Sequence, residues 1–151
     1  MPTLHWRLVT TEGSVSEAIR FVSRGTVSHV EFLLDDCTTL GAQYPDGVQI
    51  RPVDYATFSA DFRYSTECTQ AQYDQARTFL LAQVGKPYDF FDIGSILFNR
   101  NWHDPSKWIC SELWAATMES AGLIRPLHAA LNLITPEDCL LISSALFTQG
   151  A

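Results

Sequence analysis

An α+β domain is predicted by three observations. Apolar alternation near the N-terminus and an apolar run at 27–34 read as strands, and a Tyr-Pro-Asp-Gly turn at Tyr44–Gly47 closes an antiparallel hairpin. Three stretches carry helical stripes with their own start and stop signals. The 151 residues hold no repeat, linker or low-complexity tract, so one domain is expected over 1–151.

Leu4, Trp6 and Leu8 alternate with His5, Arg7 and Val9 and form an opening strand. Gly13 then breaks the chain. Ser14 and Glu17 have the spacing of a capping box ahead of a stripe of Val15, Ala18, Ile19 and Val22, which Gly25 closes. A strand from about Val27 to Leu34 comes next and ends at Asp35-Asp36. The stretch from Thr38 to Pro52 reads as two short strands, and another lies near Asp61–Ser65. Thr69 and Gln72 form a second capping box, before a helix with Ala76, Phe79, Leu80 and Val84 on one side and Gly85 and Pro87 to stop it. A third helix runs from about Cys110 to Gly122. Its Leu113, Trp114, Ala115, Ala116, Met118 and Ala121 leave little polar face, which places it in the middle of the molecule. Thr135 to Asp138 reads as a turn, and Cys139 to Ser143 as a last strand.

Hydrophobic residues make up 46% of the chain and charged ones 18%, the balance of a chain with a core rather than a disordered one. The net charge of −7 argues against nucleic acid and against an anionic membrane surface as partners. No apolar stretch approaches the ~18 residues of a membrane span, so no stable membrane insertion is expected. The start, Met1-Pro2-Thr3-Leu4-His5-Trp6-Arg7, lacks the basic residues and apolar run of a secretory signal. The expected location is the cytoplasm as synthesised, with release by lysis or a non-classical route as the alternative.

The four cysteines, Cys37, Cys68, Cys110 and Cys139, include no C-x-x-C pair and are too sparse for a disulfide scaffold. Cys110 differs from the rest by position. It falls in the first turn of the buried helix, where partial positive charge and free N–H groups favour a thiolate and a neighbouring amide can hold an oxyanion. The alternative is a packed core thiol. Cys139 lies in an apolar run where a small hydrophobe would serve, and Cys37 and Cys68 have no activating context.

A catalytic thiol needs a base. His29 and Glu31 alternate with Val30 and Phe32, so the polar pair shares one face of a strand, with Glu31 in a position to orient the imidazole. The alternative is a surface-facing pair. His5 is expected on the outer face of the first strand, and His103 and His128 lie in loops. A metal site from His103, Asp104 and Cys110 matches no standard ligand spacing. Tyr88 comes after Gly85-Lys86-Pro87 and either helps to bind an oxyanion or substrate or caps the second helix. Trp102 and Trp108 lie near Cys110 in sequence.

The set Ser28-His29-Val30-Glu31, Gly41-Ala42 with Gly47-Val48, Gly85-Lys86-Pro87-Tyr88-Asp89 and Trp108-Ile109-Cys110-Ser111-Glu112-Leu113 resembles one family. It is the circularly permuted branch of the NlpC-type, papain-like cysteine peptidases, which includes the YiiX-like proteins. Ile134-Thr135-Pro136-Glu137-Asp138 is also similar, so the likeness spans roughly Thr26 to Ser143. The histidine precedes the cysteine, as permutation requires. The resemblance implies a papain-like fold, with an antiparallel sheet packed against a central helix that starts at the nucleophile. It implies Cys110 as nucleophile, His29 as base and Tyr88 as oxyanion or substrate-positioning group. The third polar member varies in the family; Glu31 is preferred and Gln43 is the alternative.

In function, the resemblance implies a cysteine peptidase or amidase that cuts an amide bond, with bacterial cell-wall peptides as the expected substrate. No metal or organic cofactor is needed. A second expectation is a lipid acyltransferase or thioesterase similar to lecithin:retinol acyltransferase. A third is a non-catalytic component of a phage-like particle or secreted effector. The partner is thus a peptide, amide or acyl substrate, and no oligomeric state is read from the sequence.

Overall fold

Six strands form one antiparallel sheet, and the N-terminal strand lies in its interior. The computed structural model describes residues 1–34, 37–91, 93, 104, 106–127 and 130–150, without the side chain of Asn132. The strands are β1 (Thr3–Thr10), β2 (His29–Leu33), β3 (Thr38–Gln43), β4 (Gly47–Pro52), β5 (Ala60–Glu67) and β6 (Thr148–Gln149). Their order across the sheet is β4-β3-β2-β1-β5-β6. The helices are α1 (Ser14–Ser23), α2 (Gln70–Gln83), α3 (Cys110–Ser120) and α4 (Pro136–Leu146), with a 3-10 turn at Leu131–Leu133. The α+β class is as expected, as is the β3–β4 hairpin across Tyr44–Gly47.

The alternation in β1 sets the two faces of the sheet. Register pairs Trp6 with Phe32 on β2 and with Tyr64 on β5, and Phe32 with Leu40 on β3, so these side chains share one face. Helices α3 and α4 cover it. Trp6 is fully buried, with ring centroids 6.0 Å from Trp114, 5.0 Å from Phe147 and 6.3 Å from Tyr64. Its indole N–H donates to Ser143 Oγ at 2.9 Å, the partner a buried tryptophan requires. The other face carries Arg7 opposite Glu31.

Helix α3 is buried at every residue from Cys110 to Met118, as its lack of a polar face predicts. Helix α2 begins at the expected capping box, where Thr69 Oγ1 accepts from the Gln72 N–H and Gln72 accepts from the Thr69 N–H. Ala76 and Leu80 are buried, but Val84 lies past the helix end and is 40% exposed.

Several local expectations are corrected. The run Cys139–Ser143 is not a strand; it belongs to α4. The preceding Thr135-Pro136-Glu137-Asp138 is a helix start rather than a turn, because Thr135 Oγ1 accepts from the Asp138 N–H while Asp138 accepts from the Thr135 N–H. Proline at the first helical position completes the signal. A short continuous apolar run fits either a strand or a buried helix, and burial of Pro136, Cys139 and Ser143 has the helical period. In α1, Ser14 and Glu17 form no capping box. Gly13 (φ 115°) is the N-cap, and the Glu17 N–H bonds its carbonyl. The helix closes at Arg24 in the left-handed region (φ 52°), not at Gly25. Gly25 is instead needed for close approach, since a Cβ there would meet the Glu137 side chain, whose Oε2 accepts from the Thr26 N–H.

Trp6→Ala removes the side chain that joins β1 to α3 and α4. It is expected to lower folding stability by about 3–5 kcal/mol, read from urea unfolding midpoints.

Candidate active site

Cys110 opens α3, after an extended Ile109 that provides no side-chain cap. The residues before it are fixed by pairing with the chain that comes after α2. Trp108 N–H donates to the Pro87 carbonyl at 3.1 Å, and Asp89 N–H donates to the Trp108 carbonyl at 3.0 Å. That segment is in turn held to β4: Val48 N–H donates to the Lys86 carbonyl at 2.9 Å, and Gly85 N–H to the Val48 carbonyl at 2.9 Å. Gly47 has φ 79°, and a Cβ there would collide with the Lys86 carbonyl. This glycine lets the hairpin approach the segment that carries Tyr88.

His29 and Glu31 lie on one face of β2 as the alternation predicts, but they are buried rather than surface-facing. His29 Nε2 contacts Glu31 Oε2 at 3.2 Å, and Cys110 lies near enough to the imidazole to raise its pKa. Gly41 on β3 makes room for the pair, since a Cβ there would lie 2.9 Å from Glu31 Cβ and 3.3 Å from His29 Nε2.

Glu31 is the hub of a buried network that the sequence reading does not anticipate. Arg7 Nε donates to Oε1 at 2.6 Å. Thr39 Oγ1 and the Tyr55 hydroxyl each donate to Oε2 at 3.3 Å. Arg7 also donates to the Val53 carbonyl at 2.7 Å, lies 3.7 Å from Asp61 Oδ2 and stacks over Phe58 at 4.5 Å. The signal in the sequence was an arginine in the middle of an apolar strand, which alternation alone assigns to an outward polar face.

The charges of the network shift its titrations. Burial by itself pulls the His29 pKa down, but the neighbouring Cys110 and Glu31 outweigh it and raise the pKa to about 9. Burial pushes the Glu31 carboxyl up, yet His29 and Arg7 hold it below the ordinary carboxylate range. Burial, then the Glu31 charge, pushes the Tyr55 hydroxyl up.

Two cavities meet at the Cys110–His29 pair. A groove of about 250 Å³ touches His29 and runs past Ser28, Gln43 and the start of α1. A smaller slot touches Cys110 and passes between α1 and Pro136. Tyr88 lines both. Gln43 lines the groove, whereas Glu31 makes the contact to His29 Nε2.

The other cysteines are in no disulfide: Cys37 is exposed, while Cys68 and Cys139 are buried, and burial raises the pKa of each buried one. His5 is exposed on β1. Trp108 packs on Phe79, with its indole N–H on Gln83, and lines neither cavity. His103, His128 and Trp102 lie outside the described residues. Asp104 accepts from Ser106 and pairs with Lys107.

Two outcomes are expected. Glu31→Gln keeps the shape of the hub and removes its charge, so the His29 titration, monitored by NMR, falls from about 9 toward its ordinary value of 6.5. A folded state that holds His29 charged gains stability that is complete below pH 6.5 and lost as pH rises through about 9. The wild-type urea midpoint therefore drops across that window, and the drop is smaller in Glu31→Gln. Arg7→Met leaves the Glu31 charge buried without its nearest partner and costs about 3–5 kcal/mol in the same measurement at pH 7.

No protein-family model and no curated protein matches the chain. Among solved structures, the chain is similar to a crystal structure described as the metalloprotein yiiX from Escherichia coli O157:H7. The TM-score is 0.70 with 16% identity, over 99% of this chain and 96% of that one. Here, among the described residues, no group of three or more His, Cys, Asp or Glu side chains is placed to hold a metal ion. Both Glu31 oxygens and His29 Nε2 are committed to one another and to Arg7, Thr39 and Tyr55, so this donor set does not fit a metal. None of the described helices is long and apolar enough to cross a membrane. What the likeness to yiiX carries is the fold: this chain is an α+β protein of the yiiX fold.

Proposed function

We propose that the protein is a cysteine hydrolase that cleaves an amide bond through a thioacyl intermediate on Cys110, in a permuted papain-like arrangement of the yiiX fold. The observation that carries this reading is the buried imidazole of His29, held by Glu31 at 3.2 Å and near enough to Cys110 for the sulfur to raise its pKa. That is the nucleophile–base–orienter order of a catalytic triad. The helix start at Cys110 supports it, because first-turn N–H groups favour negative charge on sulfur and on a developing oxyanion.

In the proposed reaction His29 already holds the thiol proton as an imidazolium, and the Cys110 sulfur attacks the carbonyl carbon. The oxyanion is held by the Cys110 backbone N–H with Tyr88 alongside. The imidazolium gives its proton to the leaving amine as the carbon–nitrogen bond breaks. Water, deprotonated by His29, then releases the acyl group as an acid and restores the thiol. Glu31 orients the ring and stabilises its charge, and Arg7 positions Glu31. No metal or organic cofactor takes part. Cell-wall peptides are the first substrates to assay. Transfer of the acyl group to an alcohol or amine is the second reading, favoured by the apolar slot beside Cys110.

Iodoacetamide labelling across pH, mapped by mass spectrometry, tests the activated thiol. Cys110 is expected to label near pH 6 at least tenfold faster than the exposed Cys37, and His29→Ala to abolish the difference. Equal rates at the two cysteines would sink the proposal, as would hydrolysis of a cell-wall peptide that survives Cys110→Ala.

A further inference from the structure

The two cavities at the Cys110–His29 pair differ in chemistry. The groove that touches His29 has a mixed wall, with Thr11, Glu12, Ser14 and Gln43 beside Val15, Ala42 and Tyr44. The slot that touches Cys110 holds only about 20 Å³, room for a methyl-sized group, and is walled by Ile19, Val22, Ile109 and Pro136. The hydroxyls on its rim are already engaged. Ser111 donates to the Ile134 carbonyl and Thr135 is bonded to Asp138, so the slot offers an acyl chain an apolar lining. Ile19 and Tyr88 line both cavities and form the divide between them.

Acyl transfer to a thiol assigns a side to each cavity. As the Cys110 Sγ–carbon bond forms, the bond from that carbon to the leaving group breaks. The acyl group stays on sulfur, and the leaving group departs with the proton carried by His29. The acyl part therefore occupies the cavity at Cys110, and the leaving group occupies the cavity at His29. We infer that the substrate is a small apolar acyl group joined to a polar leaving group, with the acyl part in the slot beneath α1 and the leaving group in the groove. A charged acyl group is excluded, because its charge would be stripped of water in the slot without a partner. Water, or a polar acceptor amine, then enters from the groove, gives its proton to His29 and takes the acyl group as the thioester bond breaks. This inference rests on the cysteine-hydrolase reading.

The test measures Cys110-dependent acylation bursts of the intact protein with p-nitrophenyl acetate, p-nitrophenyl hexanoate and the anionic mono-p-nitrophenyl succinate. Acetate is expected to acylate at least tenfold faster than succinate. Val22 lines the slot and not the groove, so Val22→Ala should raise the hexanoate-to-acetate ratio about tenfold and Val22→Trp should lower it. Acyl-enzyme formed with acetate should pass to serinamide at least fivefold faster than to butylamine. Succinate reacting as fast as acetate, a ratio unmoved by both Val22 variants, or butylamine matching serinamide would overturn the assignment of sides. No Cys110-dependent burst with any of the three esters would instead overturn the hydrolase reading itself.

Discussion

A carboxylate in the middle of a sheet, out of reach of water, is costly unless cations and donors surround it. Glu31 is such a group, and Arg7, His29, Thr39 and Tyr55 are its surroundings. Three strands supply them, with Tyr55 coming from the chain between β4 and β5. The network therefore ties sheet register to site chemistry. A one-residue slip of β1 against β2 would turn Arg7 away and leave Glu31 with a buried, unbalanced charge. The histidine is aimed by the same constraint that aligns the strands.

The sheet supplies the histidine, and a separate construction supplies the thiol. The β3–β4 hairpin grips the chain after α2 through Val48 and Gly85, and that chain pairs with the residues that lead into α3. Cys110 is thus placed by backbone hydrogen bonds to segments far from it in sequence, while the apolar length of α3 anchors it in the core. Shape and charge come from different parts of the molecule and meet at one imidazole.

Much of this was legible in the sequence, for identifiable reasons. The His29/Glu31 face comes from strand alternation, and the Thr69–Gln72 cap and the apolar α3 are local patterns that tertiary structure did not override. The failures are equally physical. Cys-Leu-Leu-Ile is as good a buried helix as a strand, and the capping box at Thr135–Asp138 was the discriminating signal that the turn reading missed. Alternation sets Arg7 on the face opposite Trp6 but does not report what covers it; Val53, Tyr55, Phe58 and Asp61 cover that face by a route no local pattern encodes. The pairing of Tyr88 with Trp108 is likewise long-range, and neither cavity has a sequence signature.

The bond from the Trp6 indole to Ser143 joins residues 137 positions apart. A polypeptide grows from its N-terminus, so β1 and β2, with Arg7, Glu31 and His29, exist on the ribosome well before the helix that bears the thiol. The helix that completes the shelter of Trp6 is made later still. During that interval the central indole has only part of its cover and the histidine has no sulfur beside it. Maturation of this chain is accordingly governed by its last third, and Cys110 reaches His29 only when long-range closure is nearly finished.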